Sequence, residues 1–151
     1  MSRAPAEVHG SARAPIFRRE RTIRFSDCDP AGIVFYPQYF VMFNGLVEDW
    51  FTEGLGVPYS DLIMRRHLGL PTVRLEADFT AVSRMGDTVA LELGVERLGR
   101  SSLALALRCV GAGDEQRMAM RTVIVSTSKE DHRAIPLPDD VRGAIERATA
   151  A

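Results

Sequence analysis

Between Asp27 and Phe40 the chain packs two carboxylates, a thiol, two prolines, a glycine and two tyrosines into fourteen residues. Asp29 precedes Pro30, and a residue before proline avoids the helical region. Pro30 suits the first turn of a helix, where its missing N–H is no loss. The pattern therefore predicts Asp29 as the cap of a helix, with its carboxylate near free backbone donors. Gly32 would let a ligand approach the backbone closely. A helix start offers unpaired N–H groups and a partial positive charge. Such donors polarise a carbonyl and stabilise an oxyanion, and removing one typically costs about 10²–10³ in rate. A carboxylate beside them can attack an acyl carbon or activate a water. Acyl transfer is the chemistry this set could perform. The same residues also describe a plain helix cap with no reaction attached.

Other reactive side chains are sparse. Cys28 sits between two acids, which disfavour a thiolate, so a packed, unreactive cysteine is expected. The histidines are His9, His67 and His132. No two have metal-ligand spacing and no cysteine cluster helps, so a metal is not indicated. His67, just ahead of the second predicted strand, could line a pocket or sit on the surface. No phosphate-binding GxxxxGK[ST] and no GxGxxG after a strand is present, so nucleoside triphosphate and dinucleotide sites lack support.

The elements that must position this segment follow from periodicity. Arg18 to Phe25 alternates, with Ile23 and Phe25 on one face, and reads as a strand. After Pro37, apolar residues recur every three or four positions: Phe40, Phe43, Leu46, Val47, Trp50 and Phe51. That is one long helix with a broad apolar stripe, ended by Gly54 and Gly56. A short helix is predicted from Tyr59 to Arg66. Period two then takes over. Val73, Leu75, Ala77 and Phe79 form one apolar face, Val89 to Val95 and Leu103 to Cys109 repeat the alternation, and Arg117 to Thr127 is apolar on both faces in its second half. Asp139 is predicted to cap a short polar helix to Ala148. One helix and a meander of about five strands is an α+β arrangement. A single sheet can bury the helical stripe only by curling around it.

Bulk composition fits one domain. The chain has 151 residues, 46% hydrophobic and 26% charged, with 19 basic against 20 acidic residues. Near-neutral charge gives no footprint for nucleic acid. No apolar run approaches the roughly 20 residues of a membrane span. Residues 1–15 lack the apolar core of a secretion signal and read as a flexible leader before a single domain, 16–151. Two cysteines without a CxxC pair suggest no disulfide framework, and a cytoplasmic setting fits.

The run Asp27-Cys28-Asp29-Pro30-Ala31-Gly32-Ile33-Val34-Phe35-Tyr36-Pro37 closely resembles the active-site segment of the 4-hydroxybenzoyl-CoA thioesterase family. A weaker likeness continues through Leu68-Gly69-Leu70-Pro71, Phe79 and Met85-Gly86-Asp87-Thr88, over residues 20–135. The resemblance implies a hotdog fold, a long helix wrapped by a curved antiparallel sheet. It implies that Asp29 is nucleophile or general base, and that the Tyr36 N–H donates to the thioester oxygen. Family members that take the 4-hydroxybenzoyl group carry an Asp eight residues after that tyrosine. Here that position is Asn44, which hydrogen-bonds without a negative charge. The acyl group is thus left open between benzoyl, another hydroxybenzoyl and a short to medium chain.

Arg97, Arg100, Ser101 and Ser102 flank a predicted hairpin turn, and arginine forks and hydroxyls suit the phosphates of coenzyme A. The resemblance places the nucleotide end in that region, often across a subunit interface. The implied substrate contacts are Asn44, Pro30, His67, Arg97, Arg100 and Ser101, beside the catalytic set Asp29, Tyr36 and Gly32. No cofactor is implied, since coenzyme A is part of the substrate, and a homotetramer of dimers is expected. Two other functions stay open. A hotdog hydratase or dehydratase needs a His base near the helix, and none lies between Cys28 and Arg66. A non-catalytic acyl-CoA binding module would keep the pocket without the reaction.

Overall fold

The computed structural model describes residues 14–150. Of the expected leader only Ala14 and Pro15 fall within that range, and residues 1–13 lie outside the described residues. The first strand, β1, runs Phe17–Thr22. It stops before the end its alternation predicts. Ile23 is buried as expected, but Phe25 is 82% exposed. A short 3₁₀ turn, Phe25–Asp27, rotates Phe25 off the face that Ile23 occupies.

The long helix, α1, spans Pro37–Asp49 and continues into a π-helical turn, Trp50–Gly54. Its stripe is Tyr39, Met42, Phe43, Leu46, Trp50 and Phe51, all buried. Phe40 and Val47, which belong to the predicted stripe, are only partly buried at its margin. The chain leaves the helix through Leu55 and Val57, whose N–H groups donate to the Trp50 and Phe51 carbonyls. The next predicted helix is present over residues 59–65: Tyr59 and Ser60 are helical and a π-helical turn, Asp61–Arg65, continues them.

Five strands form one antiparallel sheet: β1, β3 (Thr72–Phe79), β4 (Thr88–Leu98), β5 (Ser102–Val110) and β6 (Gln116–Val125). Its order is β1-β4-β5-β6-β3. Only β4, β5 and β6 make a meander; β1 and β3 close opposite edges, which corrects the simple five-strand meander. Two further short strands, β2 (Leu68–Gly69) and β7 (Thr127–Ser128), pair outside the sheet. The predicted last strand is thus split at Ser126.

Alternation fixes which side chains meet the helix. Val89, Leu91 and Leu93 of β4, Leu103, Leu105, Leu107 and Cys109 of β5, and Met118, Met120 and Ile124 of β6 share one buried cluster with α1. The other face carries Glu92, which Arg108 meets at 2.7 Å, and Glu96 paired with Arg121. On β3 the apolar row does not find the same cover. Val73 is 61% exposed, with Leu75 and Phe79 also exposed, because β3 is an edge strand.

The C-terminal helix α2, Asp139–Ala150, is not a polar appendage. Val141, Ala144 and Ile145 are buried, and Val141 and Ile145 join the main cluster. Asp139 is its first residue rather than a flanking cap. Arg66 clamps the helix by donating to both Asp140 carboxylate oxygens at 2.8 Å. That fork is the largest cause holding the Asp140 carboxyl down from 3.8 to about 2. A folded value below the unfolded one contributes stability that is present above the unfolded value and lost as pH falls through the folded one. Asp140 is more than half exposed, so solvent screens much of the effect. The wild-type melting temperature, followed by circular dichroism, should therefore exceed that of Asp140→Asn at pH 6, with the gap closing between about pH 4 and about pH 2.

Candidate active site

Asp29 heads a tight turn, not a helix. Its N–H donates to the Ile33 carbonyl at 3.0 Å, and Gly32 N–H donates back to the Asp29 carbonyl at 2.9 Å. Gly32 takes a φ of +76°, which a side chain would strain. Cys28 bridges to Val34 across the turn, and Ile33 bridges to Arg84. The β-branched pair Ile33-Val34 thus goes to two isolated β-bridges rather than a helix. The helix begins only at Pro37, which fills the first-turn role expected of Pro30. The helix-cap placement of Asp29 is thereby overturned.

The carboxylate is nonetheless held. Ala31 N–H donates to Asp29 Oδ1 at 2.9 Å, an Asx turn that replaces the expected cap. Oδ2 accepts from no group among the described residues. Tyr36 stands immediately ahead of α1, and its N–H has no acceptor among the described residues. A fixed carboxylate with one open oxygen and a free amide at a helix start are therefore both present. The Tyr36 ring is exposed and meets Phe35, Phe40 and Phe79 edge-on, with centroids 5.6 to 6.4 Å apart.

Asp27 anchors the turn from the other side. It is 6% exposed. Its carboxylate accepts from Arg21 Nη2 at 2.9 and 3.1 Å and from Arg24 N–H at 2.8 Å, and its carbonyl accepts from Phe35 N–H at 3.0 Å. No role for Asp27 or Arg21 follows from the sequence, because β1 to turn pairing is invisible in periodicity. Cys28 lies between these acids. Burial first, then the charges of Asp27 and Asp29, push its thiol up, which agrees with an unreactive cysteine. Burial likewise pushes Cys109 up to about 11.

The substrate candidates divide. Asn44 lines an open cavity of about 620 Å³ with Phe40, Val47, Glu48, Leu75 and Met120, between α1 and the β3–β6 side of the sheet. Phe40 joins this cavity to Tyr36, with ring centroids 6.4 Å apart. Pro30 is exposed in the Asp29 turn. His67 is exposed, adopts a φ of +53° and is not among the residues lining that cavity. Arg97 lines a separate cavity of about 400 Å³ with Arg74, Glu76, Glu96 and Arg121. Arg100 and Ser101 sit in the β4–β5 turn, where their carbonyls accept from Leu137 and Ser126 N–H. The Asp29 turn is bridged near the start of β4, while this arginine turn lies at its far end. Eleven residues of strand separate the two, about 30 Å at strand rise. One chain therefore does not bring them together. Among the described residues no group of metal-binding side chains is found.

A family model described as the thioesterase-like superfamily matches residues 23–145. The chain belongs to that superfamily, has the hotdog fold and is an acyl-CoA thioester hydrolase. Among curated proteins it is 29% identical, over 80% of its own length and 91% of the relative's, to a 4-hydroxybenzoyl-CoA thioesterase from Pseudomonas sp. (strain CBS-3). Among solved structures it is similar to a gentisyl-coenzyme A thioesterase, at 27% identity and a TM-score of 0.75, over 83% of this chain and 98% of that one. A 1,4-dihydroxy-2-naphthoyl-CoA thioesterase from Synechocystis shares the fold, with a TM-score of 0.78 at 23% identity, over 85% and 94% of the two chains.

Asp27→Ala would leave the Arg21 guanidinium without its counter-ion. Removing one partner of a buried pair costs about 3–5 kcal/mol. Arg21 is one-third exposed, so the lower end is expected, measured as a shift of the urea unfolding midpoint at constant slope.

Proposed function

We propose that the protein hydrolyses an aryl-CoA, or a short- to medium-chain acyl-CoA, to the free acid and coenzyme A. Asp29 is the reacting carboxylate and the Tyr36 N–H holds the developing oxyanion. One observation supports this reading: the Asp29 carboxylate is pinned through one oxygen by Ala31 N–H while the other meets no donor among the described residues. As a nucleophile, Asp29 adds to the thioester carbon, expels the CoA thiolate and leaves an anhydride that water cleaves. As a general base, it takes a proton from the attacking water, and the thiolate leaves from the tetrahedral intermediate. Gly32, without a side chain, keeps the approach to the turn open.

The relatives' names favour aromatic acyl groups, since they specify hydroxybenzoyl, gentisyl and dihydroxynaphthoyl thioesters. Asn44 on the cavity wall would meet a polar ring substituent, Pro30 would flank the thioester, and His67 would lie along the ligand's path. Arg97, Arg100 and Ser101 would take the phosphates of the nucleotide. Because that turn is far from Asp29 in one chain, it would be supplied by a second copy. A homotetramer of dimers meets that need, and the exposed edge β3 is a surface on which copies can pair. A cytoplasmic setting belongs to the same reading: both cysteines are free thiols, and among the described residues no helix is long and apolar enough to cross a membrane.

Purified protein should release thiol from a panel of acyl-CoAs, followed with a thiol-reactive dye. Asp29→Asn should lower kcat by at least about 10³, the scale on which loss of a nucleophile or base is felt. Tight binding without turnover by either protein would favour a binding module, and hydration of an enoyl-CoA a hydratase. Asn44→Asp should raise the preference for 4-hydroxybenzoyl-CoA over benzoyl-CoA, as a ratio of kcat/KM, by about tenfold, because a charged acceptor strengthens a hydroxyl hydrogen bond.

A further inference from the structure

The Asp29 turn has no regular strand or helix of its own. Behind it stands segment 81–87, which joins β3 to β4. Val34 N–H donates to the Ser83 carbonyl at 2.9 Å, and Met85 N–H donates to the Gly32 carbonyl at 3.0 Å. The bridge between Ile33 and Arg84 completes a short pairing of the two segments. Whatever fixes 81–87 therefore fixes the backbone that carries Asp29 toward Tyr36.

One side chain ties both ends of that segment. Arg117, on β6, is 11% exposed at its side chain. Its Nη1 donates to the Val82 carbonyl and to Asp87 Oδ2, each at 2.9 Å. The same Asp87 oxygen accepts from Arg84 N–H at 2.9 Å, and the Arg117 carbonyl accepts from Thr80 and Ala81 N–H. Glu115 pairs with Arg117 Nε at 2.9 Å. At Gly111, just past β5, a Cβ would run into the Arg117 guanidinium, so a side chain there would push the guanidinium aside. From α1, Tyr39 O–H donates to Ser83 Oγ at 2.9 Å, and Ser83 is buried.

We propose that Arg117 is a positioning residue for the reaction: it sets the Asp29 turn against the helix start by holding segment 81–87 at Val82 and Asp87. This rests on Asp29 being the reacting carboxylate. A misplacement of about 1 Å at a reacting group can cost on the order of 10² in rate, while substrate contacts far from the turn stay as they are. Loss of Arg117 thus falls on kcat rather than KM.

The test is steady-state kinetics on the full chain with benzoyl-CoA, at a temperature where circular dichroism shows each variant fully folded. Arg117→Met should lower kcat by about tenfold or more with KM within about threefold of wild type. Arg117→Lys should fall between the two, since an ammonium can still reach one of the two acceptors but lacks the fork. If Arg117→Met does not fold, Asp87→Asn is read in its place, with the same kcat-only loss expected. A folded variant with kcat within twofold of wild type, or a loss confined to KM, overturns the proposal. Full turnover by Asp29→Asn would remove the reading beneath it as well. An inactive Asp29→Asn beside fully active Arg117 variants would remove this inference alone.

Discussion

One sheet has to cover one helix. Phe43, Leu46, Trp50 and Phe51 are almost fully buried, and the side chains that enclose them come chiefly from the alternating rows of β4, β5 and β6. At about 25 cal/mol per Å² of apolar surface removed from water, each large side chain in this stripe contributes about 1.5–3 kcal/mol. A flat sheet would reach only one side of such a stripe, so the strands must twist and curl around the helix. The curl leaves β1 and β3 on opposite edges, with β3 flanked on one side only, by β6. Its apolar row stays exposed while the equivalent rows of the central strands are covered.

The same constraint decides where reactive groups can stand. Residues on the helix stripe are committed to packing, so the proposed chemistry falls to the segment that leads into the helix. That segment is irregular, and irregular backbone is positioned only by what it touches. Here it touches three things: the Asp27–Arg21 pair near β1, segment 81–87, and α1 itself through Tyr39 and Ser83. Two of these involve charged groups largely withdrawn from water. A largely buried ion pair adds little net stability but constrains direction, because both partners must be met at fixed angles. Direction is what a reacting carboxylate needs. Among the described residues the Asp29 carboxylate accepts only from Ala31 N–H, which leaves its second oxygen for the proposed reaction.

Periodicity was a good guide wherever burial had one side. Phe43, Leu46, Trp50 and Phe51 of the α1 stripe and the central rows of β4 and β5 are as their spacing predicts, because they face a single core, while Phe40 and Val47 fall at its margin. It misled where a turn intervened. Asp-Pro looked like a helix entry, yet Gly32 at positive φ and the bridging of Ile33 and Val34 delay the helix to Pro37. Phe25 alternated with Ile23 but was turned outward by a 3₁₀ turn that no local apolar pattern marks. The β1–β4 pairing, the split at Ser126 and the bracing by Arg117 depend on contacts between distant residues. A single sequence encodes those contacts without displaying them. Asp27 illustrates the limit. In the sequence it is one more acid beside Asp29, and only the fold reveals that Arg21 neutralises it.

The exposed edge and the divided substrate contacts bear on each other. An edge strand that keeps Val73, Leu75 and Phe79 open to water is a pairing hazard unless something covers it. Tyr36 and Val41 of the helix entry are exposed too, so the apolar surface extends from the strand edge to the amide proposed to hold the oxyanion. The arginine turn proposed for the nucleotide is about 30 Å of strand away from Asp29 within the chain. A proposed second copy seated on β3 would satisfy both conditions at once. It would bury the apolar edge, and it would bring groups from another part of the fold toward the open mouth beside Tyr36. On that argument, the exposure of β3 and the distance between the two halves of the proposed site would have a common cause: the fold would leave to the proposed second copy the surface that its single helix and single sheet are too small to close.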